Sequence, residues 1–235
     1  MDGIPYSIER TTNKNSRATL RDGRILIRLA RNLPRLEEMR HIDTLLRRMT
    51  KAFVREKHTT RIDPFRGLLR GEKIVHLTLV TGSVVSFHVH DGKRTKALHI
   101  SGGWSVIRGV ATNDETFQKF LWKLLASSER ENIDKLVCSI NAETFGVPIA
   151  KVTMKCMRSR WGSCSRSGVI ALSTPLLLTT PEILRYVIIH ELAHRIRQDH
   201  SPAFWREVVS YSPDYREHVK NLRNFTLPRR MREKS

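Results

Sequence analysis

Apolar and polar positions alternate in short runs along the first third of the chain. Tyr6 to Glu9, Ala18 to Leu20 and Ile25 to Leu29 have the period of strands, and Asp22-Gly23 signals a tight hairpin turn between the last two. In RILIRLA, arginines alternate with aliphatic residues, which predicts one packed face and one wet face. After Pro34 the period becomes helical. Leu36, Met39, Ile42, Leu45, Leu46, Met49 and Phe53 form an apolar stripe from about Arg35 to Lys57. A second β segment runs from Lys73 to Ile100. IVHLTLV, VVSFHVH and TKALHI, separated by Gly82-Ser83 and Asp91-Gly92, predict a three-stranded meander. Gly102-Gly103 and the polar Thr112-Asn113-Asp114 mark a boundary near residue 110.

From Asp114 the pattern is again helical. Phe117, Phe120, Leu121, Leu124 and Leu125 share one face, and a second helix carries Leu136, Val137, Ile140 and Phe145 before Gly146 and Pro148 end it. Strands are expected from Lys151 to Met157 and from Gly168 to Leu172. Thr180 as N-cap and Pro181 in the first helical position then open another helix. Pro213-Asp214-Tyr215 opens a last short one, and the basic tail from Phe225 reads as loose. The expected fold class is α+β. Residues 1–110 form a β-rich region with one long helix, and residues 111–235 a helical domain with a small sheet.

Composition narrows this picture. At 235 residues the chain can build one large core or two small ones. It has no apolar run of about 18 residues, so no membrane-spanning helix is expected. The start, MDGIPYSIERTT, lacks the charged-then-apolar pattern of a signal peptide. Cys138, Cys156 and Cys164 contain no C-x-x-C pair and suit a reducing cytoplasm better than a disulfide framework. The net charge of +19 favours polyanionic partners such as nucleic acid, ribosomes or acidic proteins, with a merely solvated basic surface as the competing explanation.

The chemistry concentrates in TPEILRYVIIHELAHRIRQDHSPAF, residues 180–204. Ile183, Val187, His190 and His194 recur at spacings of four, three and four, which places both histidines on one stripe of a helix. Two imidazoles one turn apart can share a Zn²⁺ ion, and Glu191 between them is placed to deprotonate a bound water. A histidine on an apolar stripe is more often a core residue. Here, however, two histidines and a glutamate sit among Ile183, Leu184, Val187, Ile188, Ile189, Leu192 and Ala193, and burying all three without a partner is costly.

His200 is the favoured third ligand. On a continuous helix it would point away from the ion, but Gln198-Asp199 is a polar exit and Ser201-Pro202 reads as a new helix start. His200 then lies in the connection and can turn back. Glu207 and Glu217, on the following helices, are the alternatives. Three imidazoles with an open fourth position make a catalytic site rather than a structural one. His88 and His90 also share a strand face, but no acidic or cysteine partner lies near them in sequence, and a solvent-facing pair is expected.

A family resemblance rests on these residues and their order. Arg160-Trp161-Gly162-Ser163-Cys164-Ser165, Gly168-Val169-Ile170, Tyr186-Val187 leading into His190-Glu191-Leu192-Ala193-His194, His200-Ser201, Phe204-Trp205 and Pro213-Asp214-Tyr215 resemble the YgjP-like metallopeptidases over about residues 114–222. These are minimal zincins akin to SprT-type proteases. The resemblance implies a zincin-like catalytic domain in residues 111–235, His190, His194 and His200 as zinc ligands, and Glu191 as the base. The family pattern commonly has Asn where Ser173 stands. A UTP pyrophosphatase activity has also been attached to the family name.

The reaction expected is metal-assisted hydrolysis of a peptide bond. Tyr211, Tyr215 and Arg160 are the candidate donors to the developing oxyanion. The strand from Gly168 to Ser173 is a candidate edge for an extended substrate. Trp161 is expected in the core, Gly162 to answer a backbone requirement, and Cys164 to be a buried thiol. Expected partners are a protein or peptide substrate and, through the basic surface, nucleic acid or its associated proteins, with no membrane. Two other functions compete. A metal-dependent nucleotide hydrolase lacks a Gly-rich phosphate loop or a carboxylate cluster for Mg²⁺ in this sequence. A nucleic-acid-binding protein with structural zinc would need a fourth ligand.

Overall fold

In the computed structural model, which describes residues 4–21, 24–57, 60–157 and 159–226, the chain divides into two units, Met1–Thr59 and Thr60–Ser235. The first unit contains strands β1 (Tyr6–Arg10), β2 (Arg17–Arg21) and β3 (Arg24–Leu29) and helix α1 (Arg35–Lys57). β3 is central: β2 pairs with it antiparallel, Arg21 opposite Arg24, and β1 pairs with it parallel. The expected hairpin residues Asp22 and Gly23 lie outside the described residues. The alternation in RILIRL appears as designed by its pattern, with Ile25, Ile27 and Leu29 buried against Ile42, Leu45, Leu46 and Met49 of α1. The helix stripe is shorter than its spacing suggests. Leu36 and Met39 are more than 60% exposed, because the buried strand residues face only the later turns, and the Phe53 side chain lies outside the described residues.

The second unit begins with β4 (Thr60–Arg61) and α2 (Arg66–Leu69) and then forms a four-stranded sheet from β5 (Ile74–Thr78), β6 (Val84–Gly92), β7 (Lys96–Ile100) and β8 (Gly103–Gly109). Its order is β5-β6-β8-β7, not a three-stranded meander. β8 slides between β6 and β7, parallel to β6 and antiparallel to β7. Asp91 and Gly92, expected in a turn, pair with Arg108 and Gly109 inside the ladder. Gly102, at φ 76°, makes the tight turn before β8. Gly103 allows close approach, since a Cβ there would fall 1.9 Å from the Ser86 carbonyl oxygen.

One face of this sheet is apolar, and helices α3 (Asp114–Ser128) and α4 (Arg130–Glu143) belong to the same continuous core. Val85, Phe87, Val89 and Val106 are buried together with Phe117, Leu121, Trp122 and Leu125 of α3. Phe65 stands edge-on to both Phe87 and Trp122 at 5.1 Å. Asn113 caps α3 by accepting from the Thr116 amide. The boundary expected near residue 110 therefore falls inside this core, and the second unit starts at Thr60.

A second sheet lies under the site. Its strands β9 (Lys151–Lys155), β10 (Gly162–Cys164) and β11 (Val169–Ser173) run in the order β10-β11-β9. β11, the expected substrate edge, is instead the central strand and is paired on both sides; β10 and β9 form the edges. A 3₁₀ turn over Thr174–Leu178 carries the chain from β11 into α5 (Pro181–Ala193), followed by α6 (Pro202–Tyr211) and α7 (Tyr215–Leu222). The tail is not loose at its start: β12 (Phe225–Thr226) pairs with β4. Among the described residues, no helix is long and apolar enough to cross a membrane.

The Gly103 contact yields a stability test. Gly103→Ala should push β8 away from β6 and lower unfolding free energy by about 2 kcal/mol, read as an earlier midpoint in urea. An unchanged midpoint would mean that the β6–β8 approach is not a constraint.

Candidate metal centre

α5 is apolar on nearly every side. Ile183, Leu184, Val187, Ile188, Ile189, Leu192 and Ala193 are all buried, so the helix runs through the core rather than over it. His190, Glu191 and His194 are carried into that interior by position. Glu191 is 5% exposed and His194 9%.

The helix stops at Ala193, earlier than the Gln198-Asp199 exit suggests, with His194 as its C-cap. The Arg195 amide bonds to the Leu192 carbonyl, and the Ile196 and Arg197 amides to the Ala193 carbonyl, which turns the chain sharply. The Gln198 side-chain amide donates to the His194 carbonyl and closes the turn. Asp199 accepts from the Ser201 amide at 3.3 Å, and the Ser201 hydroxyl accepts from the Phe204 amide, capping α6 at Pro202. His200 is thereby set beside α5.

One ring nitrogen from each of His190, His194 and His200 lies within 4.8 Å of the other two, and among the described residues this is the group that could hold a metal ion. The Nε2 atoms of His190 and His200 are 3.2 Å apart. Two imidazole nitrogens sharing a tetrahedral ion at about 2.0–2.1 Å would stand about 3.3 Å apart, so the pair fits. His194 Nδ1 lies 3.0 Å from the Arg197 carbonyl, and donation there leaves Nε2 with its lone pair free. Phe204, fully buried, packs on all three rings at 4.5 to 5.0 Å. His190 Nδ1 is buried with no hydrogen-bond partner among the described residues. Glu207 and Glu217, the rival third ligands, are not in the group.

Burial also sets the charges. It holds His190 down to about 4, with the neighbouring His194 and His200 adding to the effect, and it lowers His194 as well. Both rings are thus neutral at pH 7, the form that binds a metal without first losing a proton. The Glu191 carboxyl is pushed up to about 8 by burial, against the opposing pull of Arg160.

The site opens into a cavity of about 560 Å³, lined by the three histidines, Glu191, Tyr186 and the edge strand Gly162-Ser163-Cys164. Gly162 touches the centre directly, because a Cβ on it would lie 2.4 Å from Glu191 Oε1. Burial raises the Cys164 thiol, which is not in the metal-binding group. Of the expected oxyanion donors, only Arg160 lines the cavity. Tyr211 packs edge-on against Phe145 at 4.7 Å, and Tyr215 stacks on Trp205 at 4.9 Å outside that lining. Tyr186, part of the family pattern but not among the expected oxyanion donors, lies one turn before His190, is 5% exposed and lines the cavity. Its phenol is pushed up to about 12 by burial, then by Glu191 and Tyr215. Its position four residues before the first histidine was the available signal. His76, on a strand beside His88, bonds to the Ser86 hydroxyl, and neither belongs to a metal-binding group.

A buried helix that turns two histidines toward a third, with a carboxylate between them and a strand edge alongside, defines a metal-dependent hydrolase of the zincin-like kind. The family model described as YgjP-like, metallopeptidase domain, matches residues 14–225, well beyond the stretch from 114 to 222. The chain belongs to the YgjP-like metallopeptidase family, and the protein is a metallopeptidase with an α+β fold. The metallopeptidase zymogen abylysin of Pyrococcus abyssi is a similar solved structure, at 22% identity and a TM-score of 0.34 over 41% of this chain and 99% of that chain. No curated protein matches the chain.

Because Gly162 makes room for the Glu191 carboxylate, Gly162→Ala should displace that group while sparing the histidines. The expected result is full metal content and an unchanged melting temperature, with kcat lowered at least about tenfold. Unchanged kcat would show that the contact is not functional.

Proposed function

We propose that the protein is a zinc metallopeptidase that hydrolyses peptide bonds with Glu191 as general base and His190, His194 and His200 as the metal ligands. The observation that carries this reading is the three-imidazole cluster with a buried carboxylate one residue from its first member. Three imidazole nitrogen donors with an open fourth position suit zinc over the oxygen-preferring cations. When bound, the ion supplies a Lewis acid that polarises the scissile carbonyl and acidifies water.

The chain's own groups do the rest. Burial favours the protonated form of Glu191 in the bare protein, whereas a metal ion held by the histidines would favour its ionised form. Glu191 is thus poised between the two states, as a group must be that takes a proton from water and returns it to the leaving amine. Tyr186, whose burial keeps its hydroxyl protonated, lines the same cavity and is the favoured donor to the negative charge developing on the carbonyl oxygen, with Arg160 as the second. The outer edge of β10 offers backbone groups to an extended peptide, which would lie across the cavity as an added strand. Cys138, Cys156 and Cys164, with no C-x-x-C pair among them, suit action in a reducing compartment such as the cytoplasm. The basic surface suits recruitment to nucleoprotein substrates.

Glu191→Gln tests the base. The variant should keep its metal and its fold while hydrolysis of a protein substrate such as casein falls about 10²–10⁴-fold. Retained peptidase activity would overturn the mechanism. Loss of UTP hydrolysis without any peptide hydrolysis in the wild type would assign the site to nucleotides.

A further inference from the structure

Beside the metal site lies a second, smaller cavity of about 280 Å³, lined by Trp205, Tyr215, Arg216, Val219, Lys220 and Arg223. Trp205 and Val219 also line the metal-site cavity, so the two adjoin. Five of the six residues come from α7 and its C-cap. Their spacing of one, four, five and eight residues from Tyr215 puts them on one face of that helix, whereas Asp214 and Glu217 fall outside it. The face is therefore basic and aromatic with no carboxylate.

Its cations are also uncommitted. Arg108 and Arg185 pair with Asp114 and Glu143, but among the described residues Arg216, Lys220 and Arg223 form no ion pair. Arg216 is held in place instead, with Nε donating to the Tyr215 hydroxyl at 3.3 Å and its guanidinium over the Tyr215 ring. The aromatic rings are engaged with each other: Trp205 and Tyr215 stack at 4.9 Å with 25° between their planes. Single-stranded nucleic acid binds through open aromatic faces on which bases stack. Here the ring faces are used internally and the free groups are cations, which suits a carboxylate better than a base.

Resting on the peptidase reading, we propose that this pocket is a specificity subsite that takes an Asp or Glu side chain of the peptide being cleaved. A peptide lying along β10 with its scissile bond at the histidines reaches the pocket past Trp205. Arg216, Lys220 and Arg223 are exposed, so the selectivity is moderate and weakens with salt.

The test uses the full chain loaded with zinc and fluorogenic peptides that differ only in carrying Glu, Ala or Lys near the scissile bond. Wild type should cleave the Glu peptide with kcat/KM about tenfold above the Lys peptide, mainly through KM. Lys220→Glu with Arg223→Glu should abolish or invert that order and leave the Ala peptide unaffected. Equal rates for the three peptides in wild type, or a preference that survives in the double variant, would overturn the subsite while leaving the peptidase reading intact. If none of the three peptides is cleaved, the peptidase reading itself fails. Fluorescence anisotropy of the labelled Glu and Lys peptides, with and without the double substitution in a Glu191→Gln background, then still decides the pocket. Equal affinities there would overturn it. Oligonucleotide binding lost in the double variant, without any peptide preference, would assign the face to nucleic acid and overturn the proposal as well.

Discussion

The structure around the site depends on one constraint, the burial of ionisable side chains on an apolar helix. α5 packs against β10, β11, α4, α6 and α7, and His190, Glu191 and His194 line the cavity beside it. Desolvation of this kind makes charge expensive. It favours the neutral form of the His190 and His194 imidazoles and the protonated form of the Glu191 carboxyl. The His190 Nδ1, buried with no hydrogen-bond partner among the described residues, belongs to the same cost. A bound metal offsets much of it by using the imidazole lone pairs and favouring the ionised carboxylate.

Several local features exist to hold that arrangement. The early end of α5 and the cap of α6 at Ser201 bring His200 back to the helix. Phe204 fills the space beneath all three rings, which limits their rotation without offering a polar atom. Gly162 lets the sheet edge come against the Glu191 carboxylate, so the proposed base and the proposed peptide-binding edge meet directly across the site. The proposed ligands, base and peptide-binding edge are thus set by elements within one core, and the pocket beside Trp205 adjoins the cavity they line.

Much of this was legible in the residues, and what was not has identifiable causes. Thr180-Pro181 and Ser201-Pro202 mark helix starts by local chemistry, so α5, α6 and the loop position of His200 could be read directly. α1 was found at its full length, but which of its apolar residues are covered depends on a sheet elsewhere in the chain, and Leu36 and Met39 are left out. β8 was lost because Gly102-Gly103 looks like a boundary, and its insertion between β6 and β7 is a non-local pairing that no periodicity records. The same is true of β11, whose place at the centre of its sheet follows from partners on both sides. Nearness in sequence to the ligand helix points to Tyr211 and Tyr215, whereas helical phase puts Tyr186 in the cavity.

The central claim is that three histidines, and no carboxylate or thiolate, hold a zinc ion in an open site. The most direct test is elemental analysis with X-ray absorption at the zinc edge, on the purified wild-type protein and on His200→Ala. The account predicts one zinc per chain with only nitrogen and oxygen neighbours at about 2.0–2.1 Å, and loss of most of that zinc in the variant. A sulfur neighbour at about 2.3 Å, or full zinc occupancy in His200→Ala, would contradict it.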